Sequence, residues 1–266
     1  TRQSAAVSKE QAMSRAHEPV VGDQFGPRAR AYVESAVHAA GQDLDALAAL
    51  VRVAQPAHAL DLGCGGGHVA YRLARHATVV TATDLSADMV AAVAATAKEK
   101  GLANIETAQA PAERLPFADG AFDFLGCRYS AHHWRDFPLG LREARRVTRT
   151  GATAVFIDAF APGAPLLDTH VQAVELLRDT SHVRDYSLAE WSSALGAAGF
   201  AVRALRTWQL RMDFPVWIAR MRTPDDNMRA IRALQMAASS DVRAHFAIEP
   251  DGSFMLDIMM METAAA

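Results

Sequence analysis

Cysteine is scarce in this chain: Cys64 and Cys127 are the only two in 266 residues. So low a count argues against a disulfide framework and for a reducing compartment, so a cytoplasmic location is expected. Long apolar runs are missing as well. None approaches the roughly 20 residues that a membrane-spanning helix needs. Neither sign of charge prevails, with 27 Lys and Arg against 30 Asp and Glu. That balance makes no electrostatic case for nucleic acid or an anionic membrane as partner. His-x-x-x-His and Cys-x-x-Cys pairs are absent, and adjacent His132 and His133 are poorly spaced as ligands, so no metal is expected. There is no internal repeat and no low-complexity tract.

What is present is the composition of a globular protein, half hydrophobic and about a fifth charged. Residues 1–12 are small and polar, with no apolar core or cleavage pattern of an export signal. We expect residues 1–20 to be a disordered or tag-derived lead-in, with Met13 a candidate start, and residues 21–266 to form one domain.

The organising stretch runs from Ala57 to His68, where a short apolar run ends at Asp61 and enters a glycine-rich turn. Val69, Ala70, Leu73 and Ala74 then recur at helical spacing, giving strand, tight loop and helix, the first half of a βαβ unit. A dinucleotide loop wants Gly-x-Gly-x-x-Gly, but the register Gly63-x-Gly65 puts His68 at the third place. The pattern present is Asp61-x-Gly63-x-Gly65-x-Gly67. A second strand, Thr78 to Thr83, ends at Asp84, where a carboxylate can accept hydrogen bonds from both hydroxyls of a ribose.

Downstream, Ser86 caps a helix over Ala87 to Lys100, Asn104 to Ala108 reads as a strand, and Ala121 to Cys127 as an apolar strand. Pro138 to Val147 reads as a helix and Ala152 to Ala159 as a strand ending beside Asp158. This alternation indicates a mainly parallel sheet with helices on both faces and its site at the strand C-terminal ends. Leu166 to Arg178 is amphipathic, residues 180–186 form a polar break, and Ser187 caps a further helix. Strands from Phe200 onward and over Phe254 to Met261 flank two helices, Phe214 to Met221 and Asp225 to Ala238.

Four segments, DLGCGGGHVA, ATDLSADMV, AERLPFADGAFDF and the run from CRYSAHHW to REARRVTRTGA, resemble class I S-adenosylmethionine-dependent methyltransferases. The resemblance is to those grouped with ubiquinone/menaquinone-biosynthesis C-methyltransferases (methyltransferase type 11). The segments RDTSHVRDYSLAEW, WIARMRTPDDNMRAI and QFGPRARAYVESA are similar to the YafE-type subgroup. The resemblance implies an α/β, Rossmann-like seven-stranded sheet in the order 3-2-1-4-5-7-6 with strand seven antiparallel. It also implies S-adenosylmethionine as cofactor, S-adenosylhomocysteine as product and a small-molecule acceptor. By matching positions, Asp61, Gly63, Cys64, Gly65 and Arg128 belong to the methionine end and Asp84 to the ribose. Leu85, Met89 and Ala112 belong to the adenine. Pro111 departs from the family, many of whose members carry an acidic residue there, and Glu113 is the candidate substitute.

Within that frame residues 43–160 form the cofactor-binding core, and 21–42, 160–190 and 214–250 are cover and substrate-side elements. Phe25 and Tyr32 belong either to a helical cover over the cofactor or to simple packing of a leading helix. His132 and His133, after the fourth strand, are candidate general bases because histidine titrates near neutrality; backbone hydrogen bonding is the plainer role. Tyr129 and Trp134 can face a sulfonium by cation–π attraction. Phe160, Leu166, Leu167, His170, Phe214, Trp217, Met221 and Met228 are expected to roof a cavity for a largely apolar acceptor. A catalytically inactive cofactor-binding sensor or partner protein is the alternative function. Monomer and homodimer both stay open.

Overall fold

The computed structural model describes residues 41–266, together with His17 and Val20. The cover expected over 21–42, with Phe25 and Tyr32, lies outside the described residues up to position 40. Helix α1 (Gln42–Ala54) buries Leu44, Leu47 and Val51 along one stripe and ends at Gln55 in the left-handed region, just before Pro56. Strand β1 (His58–Leu62) then leads through the glycine loop into α2 (His68–Leu73). Strand β2 (Val79–Asp84) leads into α3 (Ala87–Glu99), where the Ser86 hydroxyl accepts the Met89 N–H as N-cap.

Strands β3 (Ile105–Gln109) and β4 (Phe122–Arg128) follow, then a 3-10 turn over Ala131–His133 and helix α4 (Phe137–Val147). Strand β5 (Thr148–Ala159) is succeeded by α5 (Pro165–Arg178) and α6 (Leu188–Ala198), the latter started by a capping box of Ser187 and Glu190. Strand β6 (Phe200–Met212) precedes α7 (Phe214–Met221), α8 (Asp225–Ala237) and α9 (Ser240–His245), and β7 (Phe254–Ala265) completes the chain.

The strands form one seven-stranded sheet in the order β3-β2-β1-β4-β5-β7-β6, as the resemblance implied. Strands β1 to β5 pair in parallel, and β7 runs antiparallel between β5 and β6. Both faces of the sheet are buried, as the residues of β7 display. Its Phe254, Leu256, Ile258 and Met260 join one core with Leu44 of α1, Val171 of α5 and Trp217 of α7. Its Met259 and Met261 join the other, with Leu141 of α4 and Trp191 of α6.

The structure moves some boundaries. Strand β5 starts at Thr148 rather than Ala152, because α4 passes into it without a loop: the Thr148 hydroxyl donates to the Ala144 carbonyl (2.7 Å). Strand β7 continues past Met261 to Ala265, held between two partners, with Phe200 opposite Ala265. Helix α9, six residues long, was not expected; Ser239 caps it.

Candidate active site

At the end of β1 the backbone turns through Gly63 (φ +71°) and Gly65 (φ +47°), both left-handed. A Cβ on Gly63 would meet the Ser130 hydroxyl at 1.9 Å, whereas one on Gly65 would meet nothing within 4 Å. Gly63 is therefore required by the fold itself, and Gly65 presents an open face. The loop is fixed by its neighbours: Cys64 N–H donates to the Thr83 carbonyl (2.7 Å) and Gly67 N–H to the Cys64 carbonyl (2.8 Å). Asp61 is buried, and its carboxylate accepts the Ala70 N–H (2.8 Å), tying β1 to α2. Burial pushes its pKa up to about 7, even against that hydrogen bond.

Asp84 closes the loop from the next strand. One carboxylate oxygen accepts the Gly65 N–H and the other the Ser86 N–H, each at 2.9 Å. Burial raises its pKa as well. A carboxylate offers about four lone-pair directions, so each oxygen keeps the capacity for a further donor. These groups line a cavity of about 1040 Å³, partly open to solvent, with Leu85, Met89, Ala112, Glu113 and Arg128.

The far side of that cavity is built from the end of β4. Arg128 pairs with buried Asp43 at the start of α1 (2.5 Å), and its guanidinium lies 4.5 Å from the centre of the Tyr129 ring. Tyr129 itself has φ +51°, a left-handed conformation that costs a bulky residue about 1–2 kcal/mol. The following 3-10 turn is pinned to β5. Asp158 accepts the Ala131 N–H (3.0 Å) and lies 2.6 Å from His132 Nδ1. His133 Nδ1 donates to the Ser181 carbonyl (3.1 Å).

The two histidines are driven apart. Burial opposes charge on His132, but the Asp158 carboxylate overrides it and pushes the pKa up to about 9. Burial and the neighbouring His132 cation push His133 down to about 3. The ring centroids are 4.1 Å apart. The expectation that either ring titrates near neutrality therefore fails: a paired cation stands beside a neutral ring.

A second cavity, about 680 Å³ and partly open, lies against the same turn. Tyr129 and His133 line both cavities, whereas His132 lines only the second. Its apolar wall comes from Leu210, Met212, Trp217, Leu256 and Ile258, and its polar wall from His132, Glu175, Arg178, Asp179, Asp185 and Arg220. The expected apolar roof is thus corrected. Of the residues named for it, Trp217 lines this cavity; Leu166 is exposed, His170 packs on Phe246, and Phe214 and Met221 are buried in the core. The insertion turns its apolar side onto α5 and the sheet, with Ile231 of α8 in the same core as Val171 and Val174.

Every described residue expected at the cofactor lines the first cavity: Asp61, Gly63, Cys64, Gly65, Asp84, Leu85, Met89, Ala112, Glu113 and Arg128. Phe25 and Tyr32 lie outside the described residues. His17 departs from the lead-in expected over 1–20: it lines this cavity, its Nε2 3.0 Å from the His133 carbonyl. Glu113 is engaged by the Asp136 N–H (3.2 Å). Trp134, with its Nε1–H donated to Ser130 (3.1 Å), packs over Gly140. Cys64 and Cys127 are buried free thiols. The polar break at 180–186 is packed rather than solvated: His182 and Asp185 are buried, Arg184 pairs with Asp168 and Glu190, and Tyr186 stacks on Phe137. No single motif pointed to Glu175, Arg178 or Asp179; their amphipathic helix was the only signal. Among the described residues, no group of His, Cys, Asp or Glu is placed to hold a metal ion, and no helix is long and apolar enough to cross a membrane.

Residues 60–156 match the family described as "Methyltransferase domain". The chain is 44% identical over 204 residues to the uncharacterized protein YafE of Escherichia coli K12, covering 77% of this chain and 99% of YafE. It is 34% identical over 224 residues to the uncharacterized methyltransferase YcgJ of Bacillus subtilis, covering 84% and 88%. The YcgJ crystal structure superposes with a TM-score of 0.78 at 32% identity, over 83% of this chain and 97% of that one. The ubiquinone/menaquinone biosynthesis C-methyltransferase UbiE of Sinorhizobium fredii is 31% identical over 169 residues, 59% of this chain and 64% of UbiE. With its motif loop, its sheet order and these relatives, the chain belongs to the class I S-adenosylmethionine-dependent methyltransferases.

Proposed function

We propose that this enzyme transfers a methyl group to a small organic acceptor held in the second cavity, with S-adenosylmethionine in the first. The observation that carries this reading is the shared wall: Tyr129 and His133 line both spaces, so two ligands can meet there. S-adenosylmethionine, when bound, supplies a methyl group on a sulfonium, and displacement at that carbon needs mainly alignment and exclusion of water.

The residues present fit that cofactor. Gly65 leaves an open face where a ligand can lie on the backbone. Asp84 retains acceptor capacity on both oxygens, matching the two hydroxyls of a ribose. Leu85, Met89 and Ala112 give an apolar slot for a base, and Arg128 with the loop backbone holds the amino-acid end. Asp61 also steadies the loop, one of its carboxylate oxygens accepting the Ala70 N–H.

At the acceptor, His133 is the group we place against the reacting atom. Its Nδ1–H is committed to Ser181, so in the neutral ring Nε2 carries the lone pair that can accept a hydrogen bond. His132 is a positioning residue, a cation locked to Asp158 that adds to burial in keeping His133 neutral. The split lining of the second cavity favours an amphiphilic acceptor over a largely apolar one. Buried free thiols accord with a reducing cytoplasm.

The test is transfer of tritium from methyl-labelled S-adenosylmethionine to the small-molecule fraction of a cell extract. Wild type should label a discrete product, and His133→Asn should reduce the rate about a hundredfold, the usual scale for losing such a group. Binding of S-adenosylhomocysteine without any labelled product would favour the inactive sensor.

A further inference from the structure

We propose that Asp185 reads a hydroxyl group on the acceptor, making it the specificity-determining residue of the second cavity. This inference rests on the methyltransferase reading above and adds to it the polar group that the acceptor must carry.

The other polar groups of the wall already have partners. His132 is held by Asp158 (2.6 Å) and His133 by the Ser181 carbonyl (3.1 Å). Asp179 accepts the Ser181 N–H and hydroxyl, and Glu175 faces the Arg178 guanidinium (3.5 Å), which also donates to the Trp217 carbonyl (3.2 Å). Arg220 also has partners. Asp185 differs. It is 2% exposed, it lines the cavity, and its Oδ2 is buried with no hydrogen-bond partner. Native structures rarely leave such an atom unpaired, and at a cavity wall a donor from the occupant can supply the missing partner.

Its placement is not accidental slack. The Gln172 side chain clamps the Asp185 main chain from both sides, its amide donating to the Asp185 carbonyl (2.8 Å) and its oxygen accepting the Asp185 N–H (3.1 Å). The same Gln172 oxygen lies 3.0 Å from His182 Nε2. A segment fixed this firmly presents its carboxyl group in a defined place.

The charges around it choose the ligand group. Glu175, Asp179 and Asp158 stand against Arg178, Arg220 and His132; His132 and Arg178 act on Asp185 from a distance, but neither forms an ion pair with it. Burial, with Glu175 close by, pushes its pKa up to about 8, which favours the protonated carboxyl. A protonated carboxyl both donates and accepts, and a hydroxyl does the same. An ammonium only donates and would require the carboxyl to ionise. The opposite wall of Trp217, Leu210, Leu256 and Ile258 receives the apolar remainder of the molecule.

The experiment uses the full chain saturated with S-adenosylhomocysteine and three probes built on one benzyl group: benzyl alcohol, benzylamine and toluene. Binding is read at pH 7 by ligand-observed NMR. Benzyl alcohol should bind about tenfold tighter than toluene, the worth of one good hydrogen bond, and tighter than benzylamine. Asp185→Asn, which stays neutral and keeps a donor and an acceptor, should retain the preference; Asp185→Leu should abolish it. Equal binding of alcohol and toluene to wild type, a preference for the amine, or a preference unchanged in Asp185→Leu would overturn the inference. Should Asp185→Leu fail to fold by thermal melting, the wild-type ranking and Asp185→Asn decide it. If S-adenosylhomocysteine itself does not bind, the methyltransferase reading and this inference fall together. If it binds and the alcohol is not preferred, only this inference falls.

Discussion

The two cavities are made differently. The first is lined almost wholly by residues between Asp61 and Arg135, and its decisive contacts are backbone N–H groups, glycine conformations and one carboxylate at a strand tip. The second gathers side chains from the turn after β4 and from α5, β6, α7 and β7, and its decisive contacts are between buried ionisable groups. A site built from local backbone follows the sequence motif, so it can be shared across a family. A site built from distant side chains depends on how the helices dock, so relatives can differ there while keeping the first.

That contrast can be broken at its strongest point by Asp84→Ala. Two hydrogen bonds to a carboxylate, each worth about 1.5–3 kcal/mol, should be lost, weakening S-adenosylhomocysteine binding about a hundredfold or more by calorimetry. The NMR titration of His133 should stay where it was. If it moves with the mutation, the two regions are one coupled site.

Within the first cavity, Gly63→Ala and Gly65→Ala should separate fold from binding. A methyl group at Gly63 collides with Ser130 and strains a φ of +71°, so the melting temperature should fall by about 10 °C, reflecting roughly 3 kcal/mol. At Gly65 there is room, so the melting temperature should fall by only about 2–4 °C, the share of about 1 kcal/mol of backbone strain. Cofactor affinity should instead drop about tenfold if the methyl group occupies ligand space. Equal effects on stability would mean the Gly65 face is structural.

The second cavity is sharpened by His132→Gln, which deletes the cation beside His133. The His133 pKa should then rise from about 3 toward its ordinary 6.5, read from its ring carbon proton by NMR. No rise would mean burial alone holds the ring neutral. The smallest effect concerns stability. His132 has its pKa raised from 6.5 to about 9, so its contribution is complete below pH 6.5 and is lost as pH rises through 9. Asp185, raised from 3.8 to about 8, acts in the same direction through the lower part of that range. The melting temperature should decline between pH 6.5 and 9.5, and His132→Gln should decline less.

The parallel core, the glycine loop, the strand-end Asp84 and the helix caps at Ser86 and Ser187 are legible in the residues alone, because each is a local match between residue chemistry and backbone conformation. The sheet order came with the resemblance and agrees with the late strands over Phe200 and Phe254. Only the tertiary structure decided the roles of His132 and His133, adjacent residues of one type. What separates them is Asp158 at the end of β5 and the Ser181 carbonyl after α5, and neither distance is written in the spacing of the chain. The same holds for Asp185. In sequence it sits in a polar break between two helices; in the fold, Gln172 from α5 clamps it at the cavity wall with its buried Oδ2 unpaired. Local pattern fixes backbone conformation, whereas the proton affinity and free valence of a buried side chain are set by whatever long-range packing brings beside it.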